Sequence, residues 1–130
     1  MWFPLTATES AMITVSVTYP QRPGAHFDFD YYLRQHMPMV QQLLGHALKG
    51  VRVDRGLSGA EAGSTPGFVA QATLLCDSVQ TFQQAFGPVA ARIMGDVPNY
   101  TDIQPLFQYS EVALCDERLP GVSGWYANAQ

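Results

Sequence analysis

His36 is the residue of this sequence best suited to chemistry. It lies in an amphipathic stretch four positions after Tyr32, so the two side chains share one face of a helix. An imidazole titrates near neutral pH, and in a pocket between helix and sheet it could act as a general acid or base. The alternative is a buried structural histidine that bonds a carbonyl freed by the nearby Pro38. We take His36 and Tyr32 as the candidate catalytic residues.

Tyrosines and their neighbours form a second group of candidates. A phenol can donate a hydrogen bond to a developing oxyanion, whereas an aromatic side chain on a core face is usually packing. Loop residues near position 100 can reach over the mouth of a pocket, with turn formation as the alternative. The residues predicted to contact a ligand lie on the helix stripes, in this loop or on the last strand: Phe29, Val40, Phe86, Asn99, Tyr100 and Tyr109.

Other polar residues are better explained by structure. Asp28 and Asp30 fit the cap and first turn of a helix, so they do not need to be a catalytic carboxylate pair. The three histidines, at positions 26, 36 and 46, lack the spacing of metal ligands. The sequence has no phosphate loop, nucleophile elbow or dinucleotide fingerprint. We therefore expect no metal and no cofactor.

The first strand and first helix must position His36. Apolar residues alternate with hydroxyl residues over 12–19, which predicts a strand. An apolar stripe at helical spacing predicts a helix over 28–45, with Asp28 as N-cap and Gly45 as the stop. Pro38 lies inside this helix and predicts a kink just after His36.

The remaining elements are predicted in the same way. Strands are expected at 47–57, with a bulge at Gly50, then at 68–76 and 106–114. The first two of these should form a hairpin.

A second helix begins at Asp77 or Ser78 and ends at Gly95. Gln80 is placed to complete a capping box with Asp77, and Pro88 predicts a kink or break.

The order β-α-β-β-α-β predicts an α+β, ferredoxin-like fold, with one antiparallel sheet and two helices on one of its faces. One domain is expected at 12–115, preceded by an extension at 1–11 and followed by a tail at 116–130. The extension shows no periodicity and is expected to be dispensable for folding.

Composition limits the function classes. The chain has 130 residues, the length of one domain, and a net charge of −4, which argues against nucleic acid as a partner. No apolar run approaches the roughly 20 residues that span a bilayer.

Only 14% of residues are charged, which favours a homodimer that covers the open sheet face. Two cysteines and no recognisable signal peptide predict a cytoplasmic protein.

Four segments resemble the EthD family, named for a protein of ethyl tert-butyl ether degradation operons. They read ITVSVTYP, FDFDYYLRQHMPMV, LKGVRVDRGL and MGDVPNYTDIQP, and the resemblance runs from about Met12 to Val112. It implies a dimeric α/β barrel, in which two ferredoxin-like subunits pack sheet against sheet. The wider superfamily includes cofactor-free monooxygenases, muconolactone isomerases, polyketide cyclases and some haem proteins.

The resemblance leaves three functions open. The first is a cofactor-independent isomerase, lyase or monooxygenase that holds a small apolar or aromatic carbonyl, lactone or phenol under the first helix. In such an enzyme, His36 would move a proton and Tyr32 would orient an oxygen of the substrate. The second is a binding or carrier protein that serves a partner oxidase without turnover. The third is a haem protein with His36 as the axial ligand.

Overall fold

The computed structural model describes residues 12–116, which form the predicted β-α-β-β-α-β arrangement. The four strands make one antiparallel sheet in the order β2-β3-β1-β4. They are β1 (Ile13–Pro20), β2 (Gly50–Arg55), β3 (Phe68–Cys76) and β4 (Leu106–Glu111). The ferredoxin-like fold is therefore confirmed. The predicted extension at 1–11 and all but the first residue of the predicted tail lie outside the described residues.

The sheet buries one face against both helices. Val15, Val17 and Tyr19 alternate along β1 and are buried, as the period of two predicts. Val15 pairs with Leu74 of β3, and Val17 pairs with Ala72, so the central strands contribute small and branched side chains to one apolar layer. This layer and the apolar stripes of the helices form the hydrophobic core.

The first helix spans residues 29–44 and begins as predicted. Asp28 has an extended backbone conformation, and its carboxylate accepts a hydrogen bond from the Tyr31 N–H, so it is the N-cap. Gly45 ends the helix at a positive φ of 52°, a conformation that costs a residue with a Cβ more than glycine. A short 3₁₀ turn at Gly45–Ala47 follows.

A π-helical segment, Tyr32–His36, stands where Pro38 predicts a kink. Proline has no N–H, so the usual α-helical bond to the carbonyl of Arg34 cannot form. The N–H of Met37, the residue before Pro38, donates to the carbonyl of Tyr32, five residues back. The disturbance therefore falls on the turn that carries His36.

Three predictions about strands are wrong in detail. β2 is shorter than 47–57 at both ends, and the 3₁₀ turn after the first helix takes up the first predicted residue, Ala47. Gly50 opens β2 in regular register opposite Leu75, so the predicted bulge is absent. β4 ends at Glu111 and not at Leu114.

The second helix spans residues 79–96 and is broken as Pro88 predicts. Two α-helical stretches, Val79–Phe86 and Ala90–Asp96, flank a 3₁₀ turn at Gly87–Val89. Its end differs from the prediction: the helix continues past Gly95 to Asp96, and a second 3₁₀ turn follows at Val97–Asn99.

Ser78 is the N-cap of the second helix, so the predicted capping box of Asp77 with Gln80 is wrong. The Ser78 hydroxyl accepts from the Thr81 N–H at 3.0 Å. We expect Ser78→Ala to lower the free energy of unfolding by about 1 kcal/mol, because one N–H of the first turn loses its partner. Denaturant unfolding measures this. Ser58→Ala, in the exposed loop after β2, is the control and should change stability by less than about 0.5 kcal/mol.

Candidate functional site

An apolar cavity lies between the sheet and both helices. The first helix contributes five of its lining residues, and His36 and Tyr32 are among them. The second helix and the sheet close the other sides. The lining residues are Val17, Tyr19, Tyr32, His36, Met37, Val40, Leu44, Ala72, Leu74, Phe82, Phe86, Ile93, Met94, Val97 and Phe107.

The cavity is small and one side of it reaches solvent. It encloses about 30 Å³ of free space, room for one or two water molecules. A benzene-sized ligand needs roughly 150 Å³. Met94 and Phe107 line the cavity yet are 36% and 41% exposed, so they can swing outward without crossing the core. Because methionine adapts easily to a changed shape, we expect entry of a ring to begin at these two side chains.

His36 is held rigidly in the wall of the cavity. Its side chain is 4% exposed, and its ring stacks on that of Tyr32 with centroids 5.6 Å apart. The two ring nitrogens have different partners: Nδ1 lies 2.9 Å from Asp96 Oδ2, and Nε2 lies 3.3 Å from the Tyr100 hydroxyl. An ionised carboxylate only accepts hydrogen bonds, so Nδ1 carries the proton and Nε2 accepts from Tyr100.

Asp96 is the residue that orients His36. Burial alone would raise the pKa of its carboxyl, but hydrogen bonds donated by Tyr31, Asn99 and His36 together hold that pKa below its ordinary value of 3.8. The Tyr31 hydroxyl and the Asn99 amide both bond Oδ1, at 2.7 and 2.9 Å. Asp96 is therefore ionised at neutral pH.

Two buried tyrosines extend this network into the core. The hydroxyls of Tyr19 and Tyr100 lie 2.6 Å apart, and the Tyr19 ring packs edge to face with the rings of both Tyr32 and Tyr100. Desolvation by burial raises the pKa of all three well above 10. The three hydroxyls thus stay protonated at neutral pH, and each can donate a hydrogen bond.

His36 is neutral in the folded protein at pH 7. Desolvation by burial lowers its pKa below 6.5, although the hydrogen bond and the charge of Asp96 act in the opposite direction. A neutral imidazole with an unprotonated Nε2 is the form required of a general base.

These two pKa shifts predict that acid destabilises the fold in two steps. The folded pKa of His36 lies below its unfolded value, so the unfolded chain binds more protons between the two values. The free energy of unfolding should therefore fall as the pH drops from 6.5 through the folded pKa of His36. Asp96, whose folded pKa is also lowered, adds stability above 3.8 that is lost at lower pH.

Thermal unfolding between pH 4 and 8 measures the first step. His36→Asn should flatten the dependence of the melting temperature on pH below pH 6.5. The same substitution at the exposed His46 should leave this dependence as it is in wild type. A curve with the same slope in wild type and His36→Asn would contradict the assignment of this step to His36.

The residues predicted to contact a ligand lie in three places in the structure. Val40 and Phe86 line the cavity with His36 and Tyr32. Tyr100 and Asn99 lie beside it, in the hydrogen-bond network behind His36.

Two residues predicted to contact a ligand, Phe29 and Tyr109, are not part of the cavity lining. Phe29 packs against Phe27, and the guanidinium of Arg55 lies over the Phe29 ring, 4.0 Å from its centroid. Tyr109 lies on β4 with its ring 6.0 Å from that of Phe82.

Sequence reasoning missed Asp96 and Tyr19. Asp96 ends a helix, where the negative end of the helix dipole disfavours a carboxylate. An aspartate in that position needs another stabilising partner, and this was the available signal. Tyr19 falls on the apolar face of the strand predicted over 12–19, but nothing local indicates that its hydroxyl meets Tyr100, which is 81 residues away.

The site does not fit a haem. Both nitrogens of His36 bond protein groups, so an axial bond to iron would break the contact with Tyr100, and a porphyrin is far larger than the cavity. Among residues 12–116, no three His, Cys, Asp or Glu side chains are grouped so that they could hold a metal ion. Neither helix in the described part of the chain is long and apolar enough to span a bilayer.

A family model and one solved structure place the chain in one family. The model of the EthD domain matches residues 25–104, well over half of the chain. The structure of an EthD-like protein from Ralstonia eutropha JMP134 shares 46% sequence identity at a TM-score of 0.77, over 81% of this chain and 95% of that chain. An ethyl tert-butyl ether D (EthD) family protein from Bacillus halodurans C-125 shares 19% identity at a TM-score of 0.54, over 77% and 97%, which supports the fold alone. No curated protein sequence matches the chain.

Proposed function

The chain belongs to the EthD family, and we propose that it binds a small apolar or aromatic molecule between the first helix and the sheet for cofactor-independent proton transfer. His36 acts as the general base, and Asp96 positions it. Such a step suits an isomerase, a lyase or a monooxygenase that activates its own substrate. The localisation we propose is the cytoplasm.

One observation carries this proposal: a buried histidine, oriented by a carboxylate, lies in the wall of an apolar cavity. A buried histidine with a purely structural role needs hydrogen-bond partners but no cavity beside it. Here the imidazole is fixed by Asp96 at 2.9 Å and also borders the space that a ligand would occupy. Perturbed titratable groups in a cleft are typical of functional sites.

The chemistry follows from the change of charge at His36. When Nε2 takes a proton, the imidazolium forms 2.9 Å from the ionised Asp96, which stabilises the charge. The apolar walls exclude water from the reacting group. General-base catalysis of this kind typically contributes about 10²–10⁴-fold to a rate.

The proposal is tested by finding the ligand. Protein purified from its native cells is analysed by mass spectrometry under native conditions, and released small molecules are identified. We expect an apolar or aromatic compound that binds wild type but binds His36→Ala at least tenfold more weakly. Recovery of the compound unchanged after incubation supports a carrier role and contradicts the enzymatic one. A binding site that His36→Ala does not affect would contradict the proposed cavity.

We also propose that two copies pair through the sheet face opposite the helices. Both helices pack on the face with Val15 and Val17, so the other face of β1, with Thr14, Ser16 and Thr18, carries no helix from the described residues. Sheet-on-sheet packing would cover it. Light scattering at micromolar concentration should give twice the chain mass of 14.3 kDa. A mass of one chain at that concentration would contradict the dimer.

A further inference from the structure

A continuous series of hydrogen bonds joins the cavity to His36. Tyr19 lines the cavity, and its hydroxyl lies 2.6 Å from that of Tyr100. Tyr100 is fully buried behind the lining residues and reaches His36 Nε2 at 3.3 Å. His36 Nδ1 in turn reaches Asp96 at 2.9 Å. We name Tyr19, Tyr100, His36 and Asp96 the relay.

The direction of every bond in the relay is fixed from its Asp96 end. The carboxylate can only accept, so His36 Nδ1 donates and Nε2 must accept from Tyr100. A hydroxyl has one proton, so Tyr100 is left as an acceptor, and Tyr19 donates to it. The Tyr32 hydroxyl, on another lining residue, donates in turn to Tyr19, so both phenols have only lone pairs to offer to a further group. The relay therefore ends at the cavity in a hydrogen-bond acceptor.

We propose that the ligand is a neutral hydroxyl compound, a phenol or an enol, whose O–H donates to the Tyr19 end of the relay and whose proton passes along it to His36. This inference rests on the proposed function and narrows its ligand class. It adds Tyr19 and Tyr100 to the residues that transfer the proton.

The step balances in atoms and charge. The O–H bond of the ligand breaks and leaves its electron pair on the ligand oxygen. Tyr19 and Tyr100 each gain one proton and give up another, so both remain neutral phenols. A new N–H bond forms at His36 Nε2. The products are a ligand oxyanion and an imidazolium that faces the Asp96 carboxylate.

The lining of the cavity also selects against an anionic ligand. None of the described lining residues is Lys or Arg, and the polar side chains among them are Tyr19, Tyr32 and His36. A carboxylate or phosphate brought into this space would lose its hydration with no cation to replace it. The ligand must therefore enter neutral, and its proton leaves only after it is bound.

The test compares 4-nitrophenol with 4-nitroanisole, its methyl ether. The two probes have the same aromatic ring, but only the phenol can donate a hydrogen bond. Binding is measured by calorimetry with wild type and with Tyr100→Phe, which interrupts the relay and leaves the cavity lining as it is. Thermal melting checks that the variant is folded.

We expect wild type to bind the phenol roughly tenfold more tightly than the ether, because the ether has no proton to donate to the acceptor at the cavity end of the relay. In Tyr100→Phe the Tyr19 hydroxyl is free to donate to a ligand, so the ratio should fall to about two or less. Affinity for the phenol should also fall as the pH rises above the probe's own pKa.

Each other outcome has a distinct meaning. Equal affinity of wild type for the two probes would overturn the relay and leave the cavity site standing. A ratio of phenol to ether affinity that is the same in Tyr100→Phe as in wild type would also overturn the relay. If neither probe binds wild type, the proposed cavity function is contradicted, and this inference with it.

Discussion

His36→Ala is expected to lower the rate of proton transfer by about 10²–10⁴-fold, because the base is removed and no other group can take its place at Nε2. The rate is measured as uptake of solvent deuterium at carbon in the captured ligand, because a ligand O–H exchanges with solvent without a catalyst. The variant also leaves the Tyr100 hydroxyl without its acceptor, which should lower the free energy of unfolding by roughly 1–3 kcal/mol. His36→Asn should retain part of the binding, since an amide can still make one of the hydrogen bonds.

The two readouts separate a catalytic from a purely structural histidine. His46→Ala, at the exposed end of the same helical region, is the control and should change neither rate nor stability appreciably. If His36→Ala loses 1–3 kcal/mol of stability but binds and turns over the ligand as wild type does, His36 is structural. The proposed function would then be wrong.

Asp96→Asn should lower the rate by up to about 10⁴-fold with little change in the ligand affinity. An amide that turns its NH₂ group toward Nδ1 makes His36 protonate Nε2, the wrong nitrogen for a base. Because Asp96 acts through His36, two readouts are needed. Nitrogen NMR reports the tautomer of the His36 ring, and the pH profile of the rate is measured with it. Asp54→Asn, on the exposed side of β2, is the control.

Asp96→Ala separates orientation from stability. It removes the acceptor of three side chains, of which His36 is the most deeply buried. Tyr31 and Asn99 can turn to water, so the loss of stability should be roughly 2–3 kcal/mol, most of it from His36. A variant as stable as wild type would mean that the Asp96–His36 bond contributes nothing to the fold.

The fold was predictable because it depends on local patterns. Alternation along 12–19 and the helical stripe over 28–45 predict the elements and their buried faces, and the four-residue spacing places Tyr32 and His36 together. Pro38 gives the position of the π-helical segment. These signals lie within a few residues of what they predict.

The site was predictable only in part, because tertiary contacts bring its remaining residues to His36 and Tyr32. Asp96 meets His36 across 60 residues, and Tyr19 meets Tyr100 across 81. Periodicity identifies the buried face of each element but does not identify the partner that a polar group finds there. Phe29 shows the converse: it shares the helical stripe with His36, yet it packs against Phe27, away from the cavity lining.

The state of the His36 ring tests this account most directly. Nitrogen NMR of the folded protein, with the ring nitrogens labelled, reports which nitrogen is protonated and at what pH the ring titrates. We predict a neutral ring at pH 7 with its proton on Nδ1 and a titration midpoint below 6.5. A ring that is charged at pH 7, or that carries its only proton on Nε2, would contradict the assignment of His36 as a base oriented by Asp96.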